Sequence, residues 1–283
     1  MIALYEIRLP QAQLRPFIEC YWFLNATIGA PCQLEELIYT DARADIVFTF
    51  GSPYLRVRAD RPAEAQLMRA SNVDAQRRFP VRIYHQGRLH LVGVRFRPGG
   101  LSPFVRTPVH ELSGYTLTLK DVFGRRGVEL EEKLFFATGD TQRQANLLDQ
   151  FFLSRLAVLP EYARVMSWLK AIEAQRGMVS ILELSRLSGL SVRSVDRLFQ
   201  QVIGLPPKFV ARTVRFRHAL HHLMAQPATR WDEIVAALDY FDQSHFIRDV
   251  KSLAGVDPKT YLAFLSRRRE SLAPNHVHLA VLP

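Results

Sequence analysis

Apolar and polar positions alternate in short runs through the first half of the chain, and Gly, Pro and Ser break the runs, which is the period-two signature of strands. In "ADIVFTFGSPYLRVRA" (44–59) β-branched and aromatic residues flank Gly51, Ser52 and Pro53. In "VRIYHQGRLHLVGVRFRPGG" (81–100) two strand-like runs flank "HQG", which suits a hairpin turn. The period lengthens in "DTQRQANLLDQFFLSRLA" (140–157), where Leu147, Leu148, Phe151, Phe152 and Leu156 line one side of a predicted helix that Asp140 or Thr141 can cap. From there to residue 268 nearly every segment carries the helical period. The pattern therefore predicts a two-domain α+β chain, with a β-rich unit over 1–135, a helical linker over 136–160, an all-α unit over 161–268, and a tail over 269–283 that frays or docks weakly. The linker helix could belong to the first unit, bridge the two, or pack against a second subunit.

The helical half contains a repeat. "VSILELSRLSGLSVRSVDRLFQQVIGLPPKFV" (179–210) and "ATRWDEIVAALDYFDQSHFIRDVKSLAGVDPKTY" (228–261) share one layout. Phe199, Gly204, Pro207 and Lys208 recur as Val250, Gly255, Pro258 and Lys259, each 51 positions on. In the first copy Ser180 and Glu183 have capping-box spacing, and Ile181, Leu182, Leu184 and Leu187 supply a buried face. Gly189 permits a turn, and Ser191 caps a second helix whose Val195, Leu198 and Phe199 face inward while Arg193, Ser194, Asp196, Arg197 and Gln200 face outward. In the second copy Asp232 and Glu233 open a helix packed through Ile234, Ala237 and Leu238. Phe241 or Asp242 then precedes a helix with Phe246, Ile247 and Val250 inside and Gln243, Ser244, His245 and Arg248 outside. The spacing predicts two helix-turn-helix units joined by a long helix that starts at Pro207.

Those outer side chains suit the major groove. Arg can bond bidentately to a guanine edge, Gln can address adenine, and Ser or His can reach a base or a phosphate. On the connecting helix, Lys208, Arg212, Arg215 and Arg217 have no acidic counterpart within the span, which suits that helix to lie near phosphates. Its apolar line of Phe209, Thr213, Phe216, Leu220 and Leu223 binds it to both units. Reading helices spaced by about one duplex turn would let one chain read successive major grooves.

Composition agrees with this picture without proving it. A chain of 283 residues that is 48% hydrophobic can bury cores for two domains. A formal charge of +10 and a pI near 9.9 favour an anionic partner, although basic surfaces also occur on proteins that touch no nucleic acid. The opening "MIALYEIRLPQAQLR" lacks the apolar run and cleavage pattern of a secretion signal, so a reduced, cytoplasmic setting is expected, with Cys20 and Cys32 packed or idle. Apolar stretches such as "LHLVGVRF" (89–96) are far too short to span a bilayer.

"LSRLSGLSVRSVDRLFQQVIGLPPKFVARTVRFRHAL" and "DYFDQSHFIRDVKSLAGVDPKTY" resemble the two halves of the AraC/XylS-type DNA-binding domain of bacterial transcription regulators, over about residues 162–268. The resemblance implies a seven-helix domain that binds promoter DNA and usually activates transcription. It assigns reading helices to about Val192–Gln201 and Gln243–Leu253, with Arg193, Ser194, Arg197, Gln243, Ser244, His245 and Arg248 facing DNA. Gly204, Pro207, Gly255 and Pro258 match the family's structural turns, with Gly189 and Asp239 at the turns inside each unit. Family members usually carry Gly where this chain has Asp239, and Asp tolerates a positive φ less readily than Gly. "LRPFIECYW" (14–22), "ADIVFTFGSP" (44–53) and "LVGVRFRPGGLSPFVRTPVHELSG" (91–114) look like the regulatory half of some AraC-type proteins, which implies a β-rich, barrel-like pocket. Double-stranded promoter DNA, a small-molecule effector, RNA polymerase and a second copy of the chain are the partners implied. For the effector, Trp22, Phe48, Tyr84, Arg95 and Arg97 are the candidates, alongside Phe50, Tyr54, Phe96 and Phe104. An aromatic on a strand is more often ordinary core, and an Arg ordinary surface.

Other chemistry finds little support. His218 and His222 have a spacing a metal can use, with His221 beside them, but no Glu or Cys completes a zinc pattern, so solvent or phosphate contact is the better reading. His276 and His278 lack a third ligand nearby. "GLS" after "RPG" is not a nucleophile elbow, "FGSP" and "RPGG" lack nucleotide-binding spacing, and the adjacent Glu35 and Glu36 point apart on a strand. No cofactor, metal or catalytic set is predicted. Two readings stand: a sequence-specific, effector-responsive transcription regulator, or a small-molecule-binding protein or enzyme whose helical half is only an interaction module. The doubled reading unit favours the regulator.

Overall fold

A computed structural model describes residues 4–30, 33–225, 231–268 and 279–282. The first half is built on two antiparallel sheets. One contains β1 (Leu4–Arg8), β2 (Ile18–Ile28), β4 (Asp45–Thr49), β7 (Asn72–Asp74), β9 (Gly87–Phe96) and β10 (Thr116–Thr118), in the order β1-β2-β9-β4-β7-β10. The other contains β3 (Gln33–Ile38), β5 (Tyr54–Arg58), β6 (Arg61–Met68), β8 (Val81–His85) and β11 (Leu279–Leu282), in the order β11-β3-β8-β5-β6. Both sheets are open, so the expected barrel is not formed. The chain instead steps between sheets: Gly51–Pro53 carry it from β4 to β5, and Gln86 alone separates β8 from β9. The hairpin expected at "HQG" is therefore absent; one residue is too short to reverse the chain, and β8 pairs with β3 and β5 while β9 pairs with β2 and β4. The two corners clasp each other, with the Ser52 N–H donating to the Arg88 carbonyl at 2.7 Å and the Arg88 N–H to Ser52 Oγ at 3.0 Å.

Polar bonds join the sheets. Arg56 Nη2 on β5 donates to Asp74 Oδ1 on β7 at 3.0 Å, and Asn72 Nδ2 donates to Tyr54 Oη at 2.8 Å. Cross-strand partners share a face, so the register places Asp45, Arg95, Cys20 and Trp22 on the same inter-sheet side as Asp74. The opposite face of the six-stranded sheet, through Ile46, Phe48, Val92, Val94 and Phe96, lies against helices. These are α1 (Val109–Leu112), α2 (Leu119–Phe123), α3 (Arg125–Phe136) and α4 (Thr141–Leu153). The Asp140 side chain caps α4, accepting from Arg143 N–H at 2.9 Å. That helix is tied to the first half by Tyr21 Oη donating to Asp149 at 2.9 Å, Gln144 Nε2 to the Leu134 carbonyl at 2.9 Å and Arg8 Nε to Thr141 Oγ1 at 3.1 Å. Glu35 and Glu36 bond to different partners, Arg82 and His85. Cys20 is a buried free thiol that burial pushes up to about 11; Cys32, His276 and His278 lie outside the described residues.

The helical half comprises α5 (Tyr162–Ala174), α6 (Ile181–Ser188), α7 (Val192–Val202), α8 (Pro207–Ala225), α9 (Trp231–Ala237), α10 (Gln243–Ala254) and α11 (Pro258–Arg268). Its first unit shares the core of the first half, through Tyr162, Trp168, Val195, Phe199 and Val202. The second unit has a separate core of Phe216, Leu220, Ile234, Tyr240, Phe246, Val250 and Tyr261, into which Leu37 and Tyr39 reach from the β half. Full burial of an aromatic such as Phe199 or Phe246 contributes on the order of 2–3 kcal/mol. No helix among the described residues is long and apolar enough to cross a membrane.

Candidate nucleic-acid interface

Each unit is assembled by the same backbone devices. Ser180 caps α6, accepting from Leu182 N–H at 3.2 Å, and Gly189 ends it in the left-handed conformation. Ser191 then caps α7, accepting from Ser194 N–H at 3.1 Å. In the second unit the turn after α9 runs through Asp239, whose φ of +53° is the positive value that a Gly would accept more easily. The Asp242 carboxylate caps α10, accepting from His245 N–H at 2.6 Å. Pro207 and Pro258 each occupy the first position of a helix, where a missing N–H costs nothing.

The caps fix which side chains face outward. On α7 Val195, Leu198, Phe199 and Val202 are buried, whereas Arg193 and Arg197 are exposed. Ser194 is half-buried and shares a hydrogen bond with Ser191 Oγ at 3.0 Å. On α10 Phe246, Asp249, Val250, Leu253 and Ala254 are buried, whereas Gln243, Ser244 and Arg248 are exposed. His245 is half-buried against Tyr240, and its Nδ1 accepts from the Phe241 N–H at 3.4 Å, so the neutral ring carries its proton on Nε2. Arg197 and Arg248, 51 positions apart, project from matching turns of the two helices.

The basic residues of α8 divide. Lys208 is exposed. Arg212 instead grips Asp249 Oδ1 through Nη2 at 2.7 Å and Nε at 3.2 Å, with the Asp249 side chain only 7% exposed. Arg215 reaches the Gly177 and Asp239 carbonyls, each at 3.4 Å, with its guanidinium over the Tyr240 ring. Arg217 pairs with Glu173. Counter-ions absent from the helix itself come from α5 and α10, so the connecting helix braces the two units against each other. Asp249 was not singled out in the sequence, although a carboxylate at the position matching Leu198 interrupts the apolar stripe and signals it.

Both units also touch the β half. Gly204, at φ +88°, lies against α1, where an added Cβ would stand 2.3 Å from Ser113 Oγ and 2.9 Å from Val109 Cγ1. Gly255, at φ +76°, abuts Ala59 and Pro80. Thr40 N–H donates to the Leu253 carbonyl at 3.0 Å, and Tyr39 meets Phe216 and Tyr261 edge-on.

The five effector candidates do not converge. Trp22 and Arg95 share the inter-sheet face, with Arg95 Nε bonded to Asp45 at 3.0 Å. Phe48 is fully buried on the helix side, Tyr84 is paired across the outer face with Glu35 and Leu55, and Arg97 is exposed with its Nε on the Arg15 carbonyl. His218, His221 and His222 line a cavity of about 370 Å³ with Arg176, over Ile234, Ala237 and Leu238. Burial, then Arg217, hold His218 below the usual imidazole range, which favours the neutral ring. No group of three or more His, Cys, Asp or Glu among the described residues could hold a metal ion.

Comparison with known proteins bears on each half. Residues 184–263 match a family model described as "Helix-turn-helix domain", and residues 6–118 match one described as "Domain of unknown function (DUF6597)". No curated protein matches the chain. Among solved structures the chain is similar to ToxT from Vibrio cholerae, at 5% identity and a TM-score of 0.46, over 93% of this chain and 98% of that one. It is similar to ToxT with an unsaturated fatty acid bound, at 9% identity and a TM-score of 0.42, over 84% and 97% of the two chains. The AraC-like transcriptional activator CuxR is similar at 12% identity and a TM-score of 0.20, over 94% and 85%. The helix-turn-helix match spans two units that are capped and exposed in the same way.

Proposed function

We propose that Arg193 and Arg197 on α7 and Gln243, Ser244 and Arg248 on α10 read base edges in two major grooves, with Lys208 on a phosphate. The observation that carries this reading is the repetition of one exposed arginine, Arg197 and Arg248, on matching turns of two capped helices. Full-length protein should select a defined duplex from a random pool. Arg197→Ala and Arg248→Ala should then each erode discrimination by about 1–3 kcal/mol, at base pairs in different halves of the site. Losses that scale uniformly over every base substitution would overturn the assignment.

The β half acts on this reader as a regulatory domain. Between its sheets several buried polar atoms have no hydrogen-bond partner among the described residues: Trp22 Nε1, Thr49 Oγ1, Arg56 Nε and His85 Nδ1, with both amide atoms of the fully buried Gln76 just beyond β7. Buried polar groups are ordinarily satisfied, so these atoms support a small polar effector offering donors and acceptors. An effector shifts DNA affinity only if it prefers one arrangement of the two halves, and the contacts at Gly204 and at Thr40 with Leu253 couple both units to the sheets. A metabolite panel scored by thermal shift and duplex affinity tests this; a ligand whose effect survives Gln76→Leu and Thr49→Val would place the sensor elsewhere. The resemblance of the helical half to AraC/XylS-type regulators supports the wider reading, a sequence-specific regulator that activates transcription through RNA polymerase as a homodimer.

A further inference from the structure

The two turns differ by one residue. In the first unit the Leu190 N–H closes α6 onto the Ser185 carbonyl, and in the second the Tyr240 N–H closes α9 onto the Val235 carbonyl, a spacing of 50 positions. Beyond the turns the caps Ser191 and Asp242 are 51 positions apart. The inserted residue is Phe241.

A residue just before an N-cap usually folds back onto the fourth residue of its helix as a hydrophobic staple. Leu190 is half-buried against the first core. Phe241 makes no such contact and is 91% exposed, because Tyr240 has taken the inner place, its ring 5.3 Å from Phe246. A large aromatic at that exposure contributes nothing to the core. It stands beside the first turn of α10, next to Gln243 and Ser244, at the end of a reading helix that meets base edges. The backbone holds it there: its N–H is bonded to His245, and Asp242 caps the helix behind it.

We propose that Phe241 is a specificity-determining residue of the DNA interface, an apolar contact to the 5-methyl group of a thymine beside the bases addressed by α10. Apolar contact is the way a side chain senses that methyl group, which only thymine presents in the major groove. The proposal rests on the DNA reading given above.

The test uses the full chain and a duplex it selects from a random pool, with each thymine of the site replaced singly by uracil to delete its methyl group. Wild-type protein should lose about three- to tenfold in affinity at one thymine next to the α10 half-site. Phe241→Ala should lose a similar factor on the unmodified duplex and be indifferent to that uracil, with an unchanged melting temperature because the ring is exposed. Phe241→Leu should restore part of both. A Phe241→Ala protein that binds all duplexes as wild type does, or that weakens without losing any uracil sensitivity, would overturn the proposal. So would normal DNA binding combined with lost transcription activation, which would move Phe241 to a protein contact. If Arg197→Ala and Arg248→Ala are also neutral, the DNA reading itself falls; if they remain damaging, only the role of Phe241 does.

Discussion

The reading-helix position of the first unit, α7, is seated on α8 and α5 by apolar side chains, where its counterpart in the second unit, α10, also uses a charge pair. Leu198 and Phe199 seat α7 in a core continuous with the β half, the Phe199 ring stacked at 6.0 Å from Trp168. At the position matching Leu198 the second unit has Asp249, and its ion pair with Arg212 fastens α10 to α8. The caps, left-handed turn residues and helix-opening prolines are common to both. Backbone devices thus define the unit, and the means of anchoring it is free to vary with what lies beneath.

Removing an anchor should have the largest effect. Leu198→Ala is expected to cost about 3 kcal/mol in urea unfolding through the cavity it leaves. Arg212→Ala is expected to cost a similar amount, about 3 kcal/mol, by stranding the buried Asp249 carboxylate. The double change Arg212→Met with Asp249→Leu, which makes the second unit resemble the first, should recover most of that loss. Should Arg212→Ala leave unfolding untouched but lower the salt slope of DNA binding by about one, the guanidinium lies on a phosphate and the contrast between the units dissolves.

The docking glycines come next. Gly204→Ala and Gly255→Ala each force a side chain into a positive-φ position, for about 2 kcal/mol. Gly255→Ala should be the worse of the two, because its new Cβ would meet Ala59 Cβ at 2.6 Å and the Pro80 ring, whereas the nearest atom at Gly204 is a rotatable hydroxyl. Melting temperatures of the two variants decide this, and the reverse order would mean that the second unit docks more loosely than the first.

Cap removal sharpens the comparison further. Ser191→Ala and Asp242→Ala should each cost about 1 kcal/mol. The carboxylate cap also meets the helix dipole, so the excess cost of Asp242→Ala should shrink in high salt while that of Ser191→Ala stays constant. Equal salt dependence in urea unfolding would remove this distinction. The smallest effect is a gain: Asp239→Gly should stabilise the chain by about 0.5 kcal/mol, as relief of the left-handed strain outweighs the added freedom of the unfolded chain. A loss on thermal unfolding would show that the Asp239 side chain contributes more than its backbone strain costs.

Much of the architecture of the two helix-turn-helix units was legible in the chain because its causes are local. A cap is recognised from one residue and its position, a helix face from a period of about 3.6 residues, and a repeat from spacing. Asp140, Ser180, Ser191 and Asp242 cap the helices they precede, and Arg197 and Arg248 face outward as their spacing requires. Asp239 adopts the positive φ that its place in the turn implied.

What needed the tertiary structure involves partners far apart in sequence. Alternation marks β8 and β9 as strands but carries no information on which sheet each joins, since pairing depends on remote edges; hence the open sheets in place of a barrel and the corner in place of a hairpin. Effector candidates chosen by residue type scattered over both faces of those sheets for the same reason. The connecting helix, basic and without acids of its own, reads as a phosphate-binding surface until Asp249, 37 residues from Arg212, and Glu173, 44 residues before Arg217, supply the missing charges. Local hydrogen bonds and periodicity determine elements and outward faces, whereas long-range pairing and charge neutralisation are settled only when the chain is packed.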